Sequence, residues 1–471
     1  MTNNTSNFLE NSHNVCDELE AKALVTKYNV PGPRYTSYPT VPFWYNNPTE
    51  ADWKNLVKAS FDASNAQDGI SLYIHLPFCS SLCTYCGCTT RITVNHAVES
   101  PYINTLLKEW QLYLDTFEEQ PNIKEIHLGG GTPTFFSAKN LQILLEGITA
   151  NAILAPDAVL GFEGHPKNTT KEHLQTLYDL GFRRVSLGIQ DFDPRVQLII
   201  NRIQPYEMVE EVTKNAREIG YTSINFDLVF GLPLQTLASV DETIKQVNQL
   251  RPDRIAFYSY AHIPWLKPSQ RSFAPETLPS DAEKRALYEL GKTRFEEMGY
   301  KEIGMDHFAL PSDPLYQAGQ NKQLHRNFMG YSAFHTQLMV GLGASSISDS
   351  WTGFVQNVKK VEEYETLVHQ GVFPFAKGHQ LNEQDLILRK HILNLMCQLS
   401  TEWSHEDLNN PAIYKGLKKL EEMEKDGLVS RLPNQLIITE KGRPYVRNVC
   451  MCFDEYLWQN RPNTPIFSQT I

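Results

Sequence analysis

The sequence predicts an α/β chain: a partial (β/α) barrel over residues 48–375, with an N-terminal arm over 1–47 and a smaller, mainly helical domain over 376–471. Three observations carry this. Apolar runs of about five to eight residues alternate with helical segments from residue 70 to about residue 310, the pattern of βα units on a parallel sheet. Glycines and chemically active side chains gather just after those runs, where such a sheet keeps its functional face. Past residue 376 the rhythm turns helical, and a doubly wound open sheet is the competing architecture.

In order, "YNVPGPRYTSYPT" at Tyr28–Thr40 holds three prolines and a glycine, so it reads as an ordered connecting arm. "ISLYIHLPF" is the first strand, followed by a helix over Tyr102–Phe117. "EIHLGGG" is a strand running into a glycine loop, then a helix near Ala138–Ile148. "VLGFEGHP" and the helix Lys171–Leu180 make the third unit. "RVSLGIQ" precedes helices near Arg195–Asn201 and Tyr206–Ile219. "SINFDLVFGLP" precedes a helix near Val240–Leu250, and "RIAFYSYAH" one over Asp281–Met298, before a last strand "EIGMDHFAL". Near the end, "LEEMEKDGLVSRLPNQLIITEKGRPYV" outlines helix, hairpin, helix, as in a winged-helix unit.

Composition restricts the function classes. At 471 residues the chain exceeds one ordinary core, and 41% hydrophobic with 21% charged residues describes a globular protein. The first twenty residues are polar and acidic, unlike a secretory leader, so a cytoplasmic, reducing setting is expected. A net charge of −11 argues against general nucleic-acid binding and leaves room for a local basic pocket. In so acidic a chain the winged-helix outline reads as a packing domain over the barrel mouth.

"LPFCSSLCTYCGC", Leu76–Cys88, holds four of the eight cysteines. A disulfide framework conflicts with the compartment. A redox pair would use Cys83 and Cys86 and leave Cys79 and Cys88 unexplained. Structural zinc takes four closed ligands, commonly two separated pairs, which one short loop supplies poorly. A cubane cluster held by three thiolates needs only one loop and keeps its fourth iron open. Spacing favours that cluster over zinc.

Cys79-x-x-x-Cys83-x-x-Cys86, with Tyr85 before the third cysteine and "LGGGTPT" at Leu128–Thr134, resembles the hallmark of radical S-adenosylmethionine (SAM) enzymes. Cys88 narrows the likeness, as do "PGPRYTSYPT", "SLGIQDF", "FDLVFGLPLQT", "GMDHFAL", "LHRNFMGY" and "RNVCMCFDEYL". From near residue 20 onward the chain resembles the oxygen-independent coproporphyrinogen III oxidase family. That resemblance implies a barrel of the radical SAM type and a [4Fe-4S] cluster on Cys79, Cys83 and Cys86, with SAM on the fourth iron. It also implies two SAM molecules, coproporphyrinogen III as substrate, an external reductant and electron acceptor, and a monomer. Tyr73, Gly130, Glu163 and Ile347 then correspond to contacts to the cluster-bound SAM, with Gly131 and Thr132 continuing its loop. Tyr85, Gln190, Arg202, Asp227 and Ala261 correspond to positions around the second.

Cys88, not a ligand in the family, reads as a proton or hydrogen donor. Arg34, His307 and Arg326 are candidates for the substrate's carboxylates; a core histidine and a surface ion pair are the ordinary readings of His307 and Arg34. Cys450 and Cys452 read as helix packing, and Cys16 and Cys397 take no functional role. One departure stands out: this chain has Glu-Gly-His-Pro at 163–166 where better-known members have Glu-Val-Asp-Pro, which leaves the roles of Gly164 and His165 open. The competing functions are a heme-binding trafficking protein, whose branch generally lacks the fourth cysteine, and a radical enzyme that modifies heme.

Overall fold

A computed structural model describes residue 20, residues 23–460 and residues 466–470. The start of the arm, with Cys16, lies outside the described residues. Six strands follow one another across the sheet in chain order: β1 (Ile70–Leu76), β2 (Asn122–Gly130), β3 (Ile153–Gly164), β4 (Arg184–Gln190), β5 (Ser223–Phe230) and β6 (Arg254–Ser259). All are parallel. The helices between them are α1 (Glu50–Ser64, before β1), α2 (Glu99–Phe117), α3 (Ala138–Thr149), α4 (Lys171–Asp179), α5 (Pro194–Ile199), α6 (Tyr206–Ile219) and α7 (Leu237–Leu250). After α8 (Asp281–Glu297) come β7 (Lys301–Gly304) and β8 (His307–Ala309).

"EIGMDHFAL" is therefore a tight hairpin and not one strand. Gly304 pairs with His307 across a turn in which Asp306 takes φ 63°, a backbone state that short polar side chains tolerate. Four later strands complete the sheet: β9 (Leu338–Leu342), β10 (Ile347–Asp349), β11 (Gly353–Asn357) and β12 (Phe375–Gln380). β9 lies parallel to β1 on the side away from β2, and the others extend that edge antiparallel. The order β12-β11-β10-β9-β1-β2-β3-β4-β5-β6-β8-β7 has two separate edges, a partial barrel.

Alternation along the strands sorts the sheet's two faces. Leu72, Ile74, Ile126, Leu128, Phe162, Leu187, Phe226 and Phe257 belong to one buried apolar core, shared with Leu106, Trp110 and Phe117 of α2. The alternate residues are polar: Tyr73 and His75, Glu125 and His127, Glu163, Ser186, Asn225 and Asp227. Their column ends at the C-terminal edge of the strands, and that edge carries the site.

A second core joins helices Glu383–Gln398, Pro411–Lys419 and Val446–Phe453 to a three-stranded sheet, Ser400–Glu402, Val429–Leu432 and Gln435–Ile438. Leu24, Tyr28, Tyr35 and Tyr38 of the arm are buried in it. Arg447 fastens the arm by donating to the Pro33 carbonyl (2.9 Å) and the Gly32 carbonyl, and to Gln469 O at 2.8 Å. Cys397, Cys450 and Cys452 are buried as apolar filling. Among the described residues no helix is long and apolar enough to cross a membrane.

Candidate active site

The cysteine loop leaves β1 and lies across the strand ends. It is tied down from below: Thr84 donates through its N–H to Ile200 O (3.0 Å) and through its hydroxyl to Ile199 O (3.1 Å), and the Asn201 amide donates to Leu82 O. Cys79, Cys83, Cys86 and Cys88 all line a cleft of about 1100 Å³, with Gly130, Gly131, Thr132, Glu163, Gln190, Arg202 and Asp227 on its other walls. Among the described residues no three His, Cys, Asp or Glu side chains close on one point as a lone metal ion would require. The thiols instead stand along an open rim.

Acidities differ along that rim. Burial pushes the Cys79 thiol up to about 11, although Thr132 Oγ1 lies 3.3 Å from its sulfur. A hydrogen bond between Cys86 and Cys88 draws the Cys86 thiol down and pushes Cys88 up. Cys83 receives the guanidinium of Arg202 at 3.6 Å.

Glycines shape the opposite wall. Gly130 has φ 114°, and a Cβ there would lie 2.6 Å from the His75 ring. At Gly131 a Cβ would lie 2.6 Å from Pro77 O. The loop's N–H groups are in use, Gly131 to Leu76 O and Thr132 to Phe78 O, while Gly130 N–H donates to Glu163 at 3.2 Å. A second space of about 660 Å³ adjoins the cleft, bounded by Tyr73, His75, Ser345, Ser346 and Ile347; Cys88, Gly130 and Glu163 border both.

Two carboxylates behave differently at the floor. For Glu163, desolvation acts upward, but the His127 imidazole at 3.5 Å, the Gly130 N–H and His75 outweigh it and hold the carboxyl below its ordinary value. Asp227 is pushed up to about 6 by desolvation and the Glu163 charge, against hydrogen bonds from Ser186 (3.0 Å) and Asn225 (2.9 Å). Arg202 donates to Gly188 O at 2.6 Å, and its buried Nε has no partner among the described residues. Gln190, at φ 69°, ends the bulged β4 against it.

Tyr73 and Ile347 line only the adjoining space, and four predicted residues, Ala261, His307, Arg326 and Arg34, line neither. Ala261 is joined to the cleft wall by Gln270, 1% exposed, whose amide donates to Ala261 O (3.1 Å) and Tyr85 O (3.2 Å). His307 stands behind Tyr258, a wall residue. Its Nδ1–H donates to Met305 O at 2.8 Å and Tyr258 OH lies 3.4 Å from Nε2. Burial lowers it to about 4, so at neutral pH it brings a hydrogen bond and no charge. Arg326, 7% exposed, has Nε and Nη1 unpartnered among the described residues, sits over the Tyr331 ring and reaches Arg34 O at 3.4 Å. Arg34 pairs with Asp306 at 3.2 Å.

The Glu-Gly-His-Pro departure is accommodated locally. A Cβ on Gly164 would lie 2.8 Å from Thr169 Oγ1, so the glycine and the threonine fit as a pair. His165 Nδ1 accepts the Lys167 N–H at 3.2 Å, as an aspartate carboxylate does in such a turn, and burial keeps the ring neutral, near 3. Sequence reading missed His75, His127 and Gln270. The first two follow from period-two alternation with Tyr73 and Gly129; Gln270 comes from a Pro/Ser-rich loop with no periodic signal.

Free thiols on one loop, a glycine cradle that a side chain would fill, and a buried guanidinium with a spare donor suit a cluster with an anionic ligand beside it. This is a radical SAM enzyme: the sequence pattern of the radical SAM superfamily matches residues 73–247, from Tyr73 on β1 into α7. Likeness over the whole chain is narrower. Oxygen-independent coproporphyrinogen III oxidases of Synechocystis and Helicobacter pylori are 37% and 38% identical, each over 95% of this chain and 97% and 98% of their own. The solved coproporphyrinogen III oxidase of Escherichia coli, described as a radical SAM enzyme, superposes with a TM-score of 0.85 at 35% identity, over 90% of this chain and 98% of that one. The chain belongs to the oxygen-independent coproporphyrinogen III oxidase family, whose cofactors are a [4Fe-4S] cluster and SAM.

Proposed function

We propose that this chain converts two propionates of coproporphyrinogen III to vinyl groups without oxygen, giving protoporphyrinogen IX for heme synthesis. The observation that carries the reading is the cleft itself, where the three-thiol loop faces Glu163, Arg202 and Asp227 across the glycine cradle. Cys79, Cys83 and Cys86 would hold the cluster. Tyr73, Gly130, Glu163 and Ile347 would hold the cluster-bound SAM, Gly131 and Thr132 would continue its loop, and Tyr85, Gln190, Arg202, Asp227 and Ala261 would hold a second.

A cluster and SAM held there would supply radical chemistry able to remove a hydrogen atom from the β-carbon of a propionate. The substrate then loses carbon dioxide and one electron, the electron passing to an acceptor outside this chain, and a vinyl group remains. The chain's own part is placement and protonation state. Arg202, with a donor to spare, suits a carboxylate. The carboxylate of Glu163 suits an ammonium group, and Asp227 suits hydroxyls. Cys88, a thiol at the junction of the two spaces, is positioned to give a proton or hydrogen. Arg34 and Arg326 bring positive charge near Tyr258 for the substrate's carboxylates, and His307 orients Tyr258. Clustered free thiols favour a reducing, cytoplasmic setting, and we take the active form to be a monomer.

The test is anaerobic reconstitution with iron and sulfide, then SAM, a one-electron reductant and coproporphyrinogen III. Vinyl product and 5′-deoxyadenosine are expected. Tight heme binding with neither product would overturn the reading in favour of a heme carrier, and a Cys83→Ser variant with an intact cluster would overturn the ligand assignment.

A further inference from the structure

The ends of β5 and β6 border two separate spaces. Asp227 and Tyr258 face the cleft, while Phe230 and Ser259, on the opposite side of the same strands, face a small, partly open cavity. This cavity lies between α8, the β7–β8 turn and the C-terminal domain, and it shares no wall residue with the cleft or the space beside it. Its body is apolar, built from Phe230, Tyr288, Met305, Met396 and Leu399.

Its charges are unbalanced. Five cations line it against two acids, Glu302 and Asp306, in a chain whose net charge is −11. The outer cations are matched: Arg285 pairs with Glu289, Arg443 with Glu440 and Glu302, and Arg34 with Asp306. Lys284 and Arg447 make no ion pair among the described residues. Arg447, 4% exposed, gives its hydrogen bonds to backbone carbonyls, and Lys284 gives one, to Tyr260 O at 2.8 Å. Burial, reinforced by Arg34, lowers Lys284 to about 8 and Arg447 to about 9. The carbonyl bonds of Arg447 explain it as a fastener of the arm. They leave Lys284 unexplained, with two ammonium protons unused beside a second buried positive charge. An anion placed there would satisfy the former and offset the latter.

We propose that this cavity binds a small organic carboxylate, its charged end on Lys284 and Arg447 and its apolar body against Phe230, Met305, Met396 and Leu399. Inorganic phosphate has no surface to set against those side chains. Two sources share the chemistry, a propionate arm of a tetrapyrrole and a smaller free organic acid.

The probe is 1-naphthoate, titrated calorimetrically into the full-length reconstituted protein with and without saturating SAM. Saturable binding, indifferent to SAM, is expected, with neither 1-naphthalenemethanol nor inorganic phosphate binding comparably. Lys284→Met, whose stem still packs on Gly231, is expected to weaken naphthoate by about tenfold or more, the range of one charge-assisted hydrogen bond. Arg285→Gln at the mouth, read beside it with thermal melts of both variants, should weaken binding by about twofold through lost long-range attraction. Displacement of naphthoate by coproporphyrin III assigns the site to tetrapyrrole carboxylates, and failure to displace assigns it to smaller acids. The proposal is overturned if naphthoate does not bind, if SAM displaces it, if phosphate binds as tightly, or if both folded variants bind like the parent. None of these outcomes depends on decarboxylase activity.

Discussion

Glu109 offers a demanding test of how burial and charge position the SAM-facing turn. It lies on α2, fully buried, and its carboxylate accepts the Gly343 N–H (2.7 Å), the Asn357 amide (2.6 Å) and the Tyr364 hydroxyl (2.6 Å). Those bonds hold the turn at 343–346, which presents Ser345, Ser346 and then Ile347 to the space beside Tyr73 and Glu163. Glu109→Gln keeps the shape but turns a two-hydrogen amide toward neighbours that donate. The protonated acid brings one such hydrogen, so the variant leaves one further donor without an acceptor, at about 1–3 kcal/mol.

The pH dependence has a defined sign. Burial raises the Glu109 carboxyl from 4.5 to about 7 despite three donors, worth about 3 kcal/mol between the two protonation states. A raised carboxyl means the folded state holds its proton where the unfolded chain has released it. The site's contribution is therefore fully present below pH 4.5 and is lost as pH rises through about 7. Glutamine does not titrate. Urea unfolding of parent and variant should differ by about 2 kcal/mol near pH 5, with the difference closing or reversing by about pH 8. SAM binding to the folded variant should weaken severalfold as the turn shifts. A stability difference that stays constant or widens with pH would refute the reasoning, since charge burial would then not govern this residue.

Three further outcomes follow from the geometry. Gly130→Ala, at φ 114° and with its Cβ 2.6 Å from the His75 ring, should lose about 1–3 kcal/mol in a thermal melt and bind SAM poorly, whereas Gly87→Ala, in open space, should match the parent. Gln270→Leu removes two amide bonds and the acceptor of the Ile263 N–H, for about 3 kcal/mol in urea unfolding, and should weaken a second SAM while sparing cluster iron content. Gly164→Val should destabilise by about 1–3 kcal/mol through contact with Thr169, and Thr169→Ala in the same chain should restore most of it; an additive double mutant would show that the two do not clash.

What could be read in advance was what lies close in sequence. The six parallel strands announced themselves because each turn of the chain repeats one local pattern, and the site residues followed because strand ends are local too. Glu163 and Asp227 follow from that logic, Tyr73 from the family resemblance, and the same alternation holds His75 and His127 in plain view. Gln270 was invisible because nothing in "KPSQRSF" says that its amide will reach Tyr85, a residue far back in the chain. β9 belongs beside β1 through pairing across hundreds of residues, and no local rhythm records it. The arm is a clearer case, since its tyrosines find their core in helices near the other terminus. His307 shows a second kind of loss. Its residue type promises a charge near neutral pH, yet burial behind Tyr258 withdraws it, leaving the positive field to Arg34 and Arg326. Lys284 stands at the opposite limit. It lies on α8 among charged residues, and only the fold brings its ammonium to Tyr260 O, in a cavity that Arg447 also lines. Residue type reveals what chemistry a side chain can do; the surroundings that decide whether it is charged, paired or spare are assembled from distant parts of the chain.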